Sequence, residues 1–459
     1  MGGFYAALLI QVGAFVASWR MAKLRGRVTV TCVGAFSFSY LLFYVGRPLF
    51  MVLENDLALF DFPLYVHVDF DTIYRATLWA AGGLIAFLSG ASLVNNQDST
   101  IQQYVGGMVD LKKLFAAEGI QSQLVYRLIV MQFISTAILK MFGGGGQNVL
   151  TVTYSSAYVY FLPSMVQSIH IMTVIAIVDK QRHKPFLSQF TPSLVISVIL
   201  MLIYTYYLRN VSFFRGYYVT GIMALFYGAM MCLRGRVGYF WIIAPMLLLM
   251  PLATEFGALR MMDNKQIHTY LSEHASKMFG VERLWTTFSS GGDMNIFDTF
   301  VAAYLYEPKK SPYILQWLYT LVHWVPRAIW KSKPEFGMMI DMSFTRGAPY
   351  SPGLLGLFYL EGGLIWMLFG MMVIGAILAK VDNYFLRMEK DYYAFCYYGT
   401  LVVNSLFASR VLLYASLYQT LYMIVPCWLL NRWIFRERVK LYFKHQEQQA
   451  VVATHAAKR

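Results

Sequence analysis

Residues 353–379 read GLLGLFYLEGGLIWMLFGMMVIGAILA, an apolar run carrying one charge, Glu361, and closed by Lys380. A helix crosses a bilayer with about 20 predominantly apolar residues, so this run is long enough to span. Comparable runs recur at 3–19, 29–49, 76–95, 125–142, 156–178, 192–208, 217–234, 238–254, 393–411 and 412–431. The pattern predicts an all-α polytopic membrane protein with about eleven (10–12) transmembrane helices. Composition agrees: the chain is 58% hydrophobic and 14% charged, where soluble domains carry about a quarter charged residues. A β-barrel would show alternating segments of about ten residues instead. The first run lacks a basic flank and an A-x-A site, which predicts a retained helix rather than a cleaved signal.

Charge gives the orientation. Net charge is +14. Its placement in short loops and the tail speaks for membrane topology and against a nucleic-acid partner. Arg20, Lys23, Arg25 and Arg27 follow the first run. Alternate loops hold Lys112 and Lys113; Lys180, Arg182 and Lys184; Arg234 and Arg236; and Lys380, Arg387 and Lys390. The intervening short loops hold only Arg75, Arg209 and Arg215, and one of them is acidic, with Glu54, Asp56, Asp61, Asp69 and Asp71. Positive-inside then places the N-terminus outside and the C-terminus in the cytoplasm. Four segments follow: an N-terminal helix bundle over 1–254, a long extracytoplasmic loop over 255–352, C-terminal helices over 353–434, and a basic tail over 435–459 lying on the inner leaflet.

The long loop is where chemistry is expected. It carries Arg260, Arg283, Arg327, Lys333 and Arg346 on a face where topology does not require positive charge. A guanidinium pairs two oxygens at once, which fits phosphate or pyrophosphate; anionic lipid headgroups are the plainer partner. The apolar stretch 314–324 is too short to cross and predicts a short amphipathic helix ended by Pro326. His268, His274, His323, Glu335 and Asp341 are acid–base candidates, with His323 more readily read as a headgroup or packing residue than as a base. Trp285, Trp324 and Trp330 are candidate sugar-stacking rings, although interfacial belts explain most of the aromatic residues.

Nothing matches HExxH, a Cys/His zinc set or GxxxxGK[ST], so no metal and no cofactor are expected. Cys32, Cys232, Cys396 and Cys427 read as small hydrophobes in helices. Charges inside spans are costly and ask for a reason. Arg47 and Arg410, each near an outer helix end, can snorkel outward or reach a polyprenyl phosphate; Lys140 reads as snorkelling. Glu361 is harder to leave to lipid. His170 reads as an interhelical hydrogen bonder. Asp69-Phe70-Asp71 is a lone DxD, a weak metal or base signal in an acidic loop.

Arg234-Gly235-Arg236, Asn295-Ile296-Phe297-Asp298, the segment Pro326 to Pro334 and the closing Gly356-Leu357-Phe358-Tyr359-Leu360-Glu361-Gly362-Gly363-Leu364 resemble bacterial O-antigen polymerases of the Wzy type, membrane glycosyltransferases of a GT-C-like class. The resemblance covers roughly 234–380. The family often has glutamate where this chain has Leu357; Glu361 lies one turn further on. The resemblance implies a bacterial inner-membrane enzyme joining undecaprenyl-pyrophosphate-linked oligosaccharide donor and acceptor in lipopolysaccharide or other polysaccharide biosynthesis. It also suggests a chain-length regulator and a flippase as partners beside membrane lipids. Arg327 and Lys333 fall in the matching segment; Arg260, His323 and Glu361 as catalytic groups, and Arg283, Arg346, Arg47, Arg410, Trp324 and Trp330 as substrate contacts, follow from charge and placement. The alternatives are a lipid-linked glycan ligase, a polyprenyl-phosphate-sugar transferase leaning on Asp61, Asp69 or Asp71, and a flippase for lipid-linked oligosaccharide.

Overall fold

The structure, a computed structural model, describes residues 1–21, 23–24, 27–59, 66–95, 118–143, 157–181, 191–211, 215–234, 237–244, 296–305, 330–332, 353–387 and 392–409, with Val325 and scattered positions between Leu421 and Glu447. In chain order these form α1 (Gly2–Met21), the antiparallel pair β1 (Lys23–Leu24) and β2 (Arg27–Val28), α2 (Cys32–Leu41), a π-turn (Leu42–Gly46), α3 (Arg47–Leu53), and a second antiparallel pair, β3 (Ala58–Leu59) and β4 (Val66–His67). There follow α4 (Phe70–Asn95), α5 (Glu118–Gly143), α6 (Ala157–Gln181), α7 (Pro192–Val211), α8 (Arg215–Arg234), α9 (Ile296–Leu305), α10 (Gly353–Arg387) and α11 (Tyr392–Ala408).

Among the described residues four helices are long and apolar enough to cross a membrane: Gly2–Arg20, Cys32–Leu53, Phe70–Val94 and Gly353–Phe385. Shorter apolar helices include Ser122–Ile138, Met165–Val178 and Pro192–Tyr204. The chain is a mostly helical membrane protein. The expected runs 238–254 and 412–431 lie largely outside the described residues.

The helices share two ends. Phe4 lies against Phe70, their rings 5.6 Å apart, so α1 and α4 begin together. At the opposite end Asp382 of α10 accepts from the Cys32 and Val33 amides at 2.8 and 3.0 Å, and from the Tyr398 hydroxyl at 2.8 Å. That carboxylate satisfies the first N–H groups of α2 where water is scarce, and Thr31 takes the Gly34 amide at 3.1 Å. The Phe70 end is the one that the charge pattern assigns to the outside.

Between apolar helices in lipid, burial of apolar surface gains little, so close approach and hydrogen bonds hold the bundle. Helices α4 and α10 show close approach. A Cβ on Gly90 would stand 1.9 Å from the Met372 carbonyl oxygen, and one on Gly375 would stand 1.9 Å from that of Phe87. Helices α5, α6 and α7 show hydrogen bonding. Thr136 gives its hydroxyl proton to the Gln132 carbonyl at 2.7 Å, so the 3.1 Å contact with His170 Nε2 is made by the ring's own proton. His170 Nδ1 then accepts from the Gln132 amide, which also donates to the Ser197 carbonyl at 2.8 Å, while Ser197 Oγ returns a bond to Gln132 Oε1 at 2.8 Å. His170 is thus an interhelical hydrogen bonder. His170→Ala is expected to cost about 1–2 kcal/mol, with helix content kept, in reversible unfolding in detergent micelles.

Candidate functional site

The two segments that position the site are α9 and the start of α10. Helix α9 belongs to the stretch expected to be a loop with short amphipathic helices. It is not amphipathic in place: Ile296 to Ala303 are all buried. A run of ten mostly apolar residues is too short to span and has no polar face, so it packs inside the bundle rather than on the surface. Phe297 and Phe300 both meet the Tyr44 ring edge-on, at 6.4 and 6.0 Å.

Asp298 in its first turn meets Arg47. Arg47 Nε donates to Asp298 Oδ1 at 3.0 Å and Nη2 to Oδ2 at 2.9 Å, a two-point fork, with a further 3.4 Å bond from Nη2 to the Ala58 carbonyl. Arg47 was expected to snorkel or reach a polyprenyl phosphate. Instead it is 5% exposed and turns its bidentate edge to a fully buried carboxylate. The correction has a plain cause: an acid within reach in low dielectric outcompetes water for the fork. The π-turn before Arg47 has its own support. Pro48 has no N–H for the carbonyl of Tyr44, and Gln11 Nε2 reaches that oxygen at 3.5 Å while also meeting the Thr77 carbonyl at 3.4 Å.

Helix α10 is not the single span that its sequence suggests. Gly362 (φ −158°, ψ 19°) and Gly363 (φ 69°, ψ −159°) leave helical geometry. The second of these conformations is open almost only to glycine. The chain folds back there. Residues 358 and 370 would be about 18 Å apart on a straight helix. In place, the Phe358 ring comes within 2.6 Å of where a Gly370 Cβ would stand. The two halves are α10a (353–361) and α10b (364–387). Leu355 packs on Gly83, the middle of Phe70–Val94, with 2.5 Å to its Cβ position. So α10a starts at mid-span and rises to a break near the Phe70 end, and α10b returns to Asp382. Helix α9 rises beside α10a: Ile296 meets Gly353, while Tyr304 meets Tyr359 with rings 6.0 Å apart.

Glu361 closes α10a at the break. It is 6% exposed and accepts from Trp366 Nε1 at 3.1 Å, a bond that ties the two halves together across the glycines. It does not face lipid, although its donor Trp366 lies next to the exposed Ile365 and three residues before the exposed Phe369.

The DxD has a local explanation. Asp69 caps α4, accepting the Thr72 amide at 2.8 Å, and the Thr72 hydroxyl and amide hold its carboxyl below the usual range. Asp71 pairs with Arg75 at 2.7 Å, one turn on. Trp330 donates to Ser332 Oγ at 3.1 Å, a local turn contact. Among the described residues, no three His, Cys, Asp or Glu side chains group so as to hold a metal ion. Arg260, Arg283, His323, Trp324, Arg327, Lys333, Arg346 and Arg410 lie outside the described residues, as does Asp61. Among the candidates, then, the structure places Arg47, Glu361 and Trp330. It adds two carboxylates, Asp298 and Asp382, that the sequence reading left aside. Asp298 carried a signal in the sequence, an acid among apolar residues that asks for a partner; Asp382, past the apolar run and close to Lys380, carried none.

No protein-family model matches the chain, and neither the curated proteins nor the solved structures yield a match.

Proposed function

We propose that the chain is a polysaccharide polymerase of a bacterial inner membrane, joining undecaprenyl-pyrophosphate-linked repeat units at the outer face. The observation that supports this reading best is the rooting of the basic stretch 255–352. Its helix α9 is clamped inside the bundle by Arg47–Asp298, beside a broken helix whose carboxylate lies near the Phe70 end. The arginines of this stretch, which lie outside the described residues, belong to a segment anchored in the bundle through α9.

The chemistry needs little else. An acceptor hydroxyl oxygen attacks the anomeric carbon of the donor glycan. The bond from that carbon to the pyrophosphate oxygen breaks, undecaprenyl pyrophosphate leaves with the electron pair, and the hydroxyl proton passes to a base. Arg260 and Arg327, with Arg283, Lys333 and Arg346, neutralise charge growing on the leaving group, which is the role a metal fills elsewhere. His323 or Glu361 takes the proton, and Trp324 and Trp330 present faces to sugar rings. Arg47 leaves the list of substrate contacts and becomes a structural partner.

Arg260→Ala and Arg327→Ala are expected to abolish chain extension while the protein still inserts, read as polymer length on gels beside membrane-fraction immunoblots. Lysine should not restore a site that needs the two-point fork. Normal polymer from both alanine variants would overturn the reading.

A second reading draws on a specific observation. Discontinuous helices and buried charges also occur in transporters, which favours a flippase for lipid-linked oligosaccharide. Against it, Arg47 and Asp298 neutralise one another and carry no net charge along a path. A lipid-linked glycan ligase uses the same leaving group. A polyprenyl-phosphate-sugar transferase drawing on Asp69 and Asp71 is disfavoured by the helix-capping and ion-pair roles those two residues already fill.

A further inference from the structure

At the Phe70 end, α4, α9 and α10a bring together side chains that the reading above does not use. Arg75 and Asp71 are 59% and 57% exposed, and Asp71 Oδ2 holds Arg75 Nε at 2.7 Å. The Tyr304 hydroxyl lies close enough to the same guanidinium to act on it electrostatically. The Tyr304 ring stands 6.0 Å from that of Tyr359, two residues before Glu361. A guanidinium has five donors, and these two partners occupy only part of them. Asp71 and Tyr304 therefore orient the group and leave an exposed edge for a ligand.

Below Arg75 runs an apolar furrow. Leu78 and Ile85 share its exposed stripe of α4, 41% and 48% exposed. Gly82 between them leaves a notch with Leu368 of α10b as a wall, 3.6 Å from where a Cβ would stand. Ile365 of α10b, 82% exposed, lies beside the break. In a bilayer such a stripe faces lipid chains, and the cation stands at its headgroup end.

We propose that Arg75, Tyr304 and Tyr359 form a headgroup site for a lipid-linked phosphosugar, with the prenyl chain in the furrow at Gly82. The phosphate oxygens take the open edge of Arg75. The first sugar lies against the tyrosine rings, whose faces a phospholipid headgroup has no use for. Charge complementarity and the continuity of cation, rings and furrow select this occupant. Arg47 cannot serve, because Asp298 already holds its fork. The identity of the lipid rests on the polymerase reading; the site's geometry does not.

The test uses the full chain in phosphatidylcholine nanodiscs, with binding measured by native mass spectrometry. The probes are undecaprenyl-pyrophosphate-linked N-acetylglucosamine and, separately, phosphatidylglycerol. Arg75→Ala should weaken the glycolipid about tenfold or more, as expected for lost charge-assisted hydrogen bonds. Tyr359→Ala and Gly82→Leu should weaken it severalfold, with phosphatidylglycerol unchanged by either. Thermal unfolding of each variant in the same discs controls for folding, and Tyr304→Phe, which keeps the ring, should retain most of the binding. Two results overturn the site: no glycolipid binding by the unsubstituted protein, or equal loss of both lipids in Arg75→Ala with the tyrosine and glycine variants silent. If binding behaves as expected but cells carrying Arg75→Ala make polymer of normal length, the site stands and the polymerase reading falls.

Discussion

Arg47→Ala is expected to cost the folded protein rather than a catalytic step. The substitution removes the guanidinium that forks onto the fully buried Asp298 carboxylate. Breaking a buried pair by removing one partner costs about 3–5 kcal/mol, because desolvation of the survivor is no longer offset. Asp298→Ala should do the same from the other side, stranding the guanidinium. The pair also joins α9 to two pieces far earlier in the chain, Arg47 at the start of α3 and the nearby β3 strand through the Ala58 carbonyl. Either single variant should therefore lose most of its folded yield, read by fluorescence-detected size exclusion, with α9 released from the bundle. The double variant Arg47→Met, Asp298→Leu removes both charges and fills similar volume. It should recover much of the folded yield while leaving α9 less well oriented. If the double variant is as damaged as either single one, the ion pair is not the cause.

Gly375→Val is the second large effect. The nearest atom to a new Cβ there is a backbone oxygen, that of Phe87 at 1.9 Å, which cannot turn aside as a side chain would. Helix α4 and helix α10 must then separate along their whole contact, where Gly90 packs on the Met372 carbonyl in the same way. Overpacking of this kind costs about 1–3 kcal/mol, and more when backbone must move. The expected result is a graded loss of folded protein from Gly375→Ala to Gly375→Val, read by the same chromatography. A substitution at Gly82, 3.6 Å from its nearest neighbour, should be well tolerated.

Much of the helical architecture was legible because crossing a bilayer leaves an apolar run of the right length. The run expected at 192–208 is Pro192–Val211, and that at 217–234 is Arg215–Arg234. Helix α4 begins at Phe70 rather than 76, because Asp69 supplies a cap that an apolar-run criterion does not weigh. The break in α10 was visible as a glycine pair after Glu361, yet composition alone cannot tell a turn from a span that contains two glycines. Only the contact of Phe358 with Gly370 separates them. Helix α9 was missed for a related reason: ten mostly apolar residues are too few to cross, and nothing local says that they pack deep in the bundle. The Arg47–Asp298 bond joins positions 251 apart in sequence, beyond any local pattern, although each charge within an apolar run was a reason to look for a partner. The loop arginines that the sequence offers as a site lie outside the described residues, so of the candidate site residues only Arg47, Glu361 and Trp330 have a geometry here.

On the proposed function, the chain acts on lipid-linked glycan at the outer face of the membrane. The most direct measurement is the product left in a strain lacking the protein, with its sidedness read by a membrane-impermeant lectin or glycosidase. The expected product is a single repeat unit on undecaprenyl pyrophosphate, accumulated on the outer face and extended again when the intact protein is restored. Accumulation of the same lipid on the inner face would contradict it and make the protein a transporter.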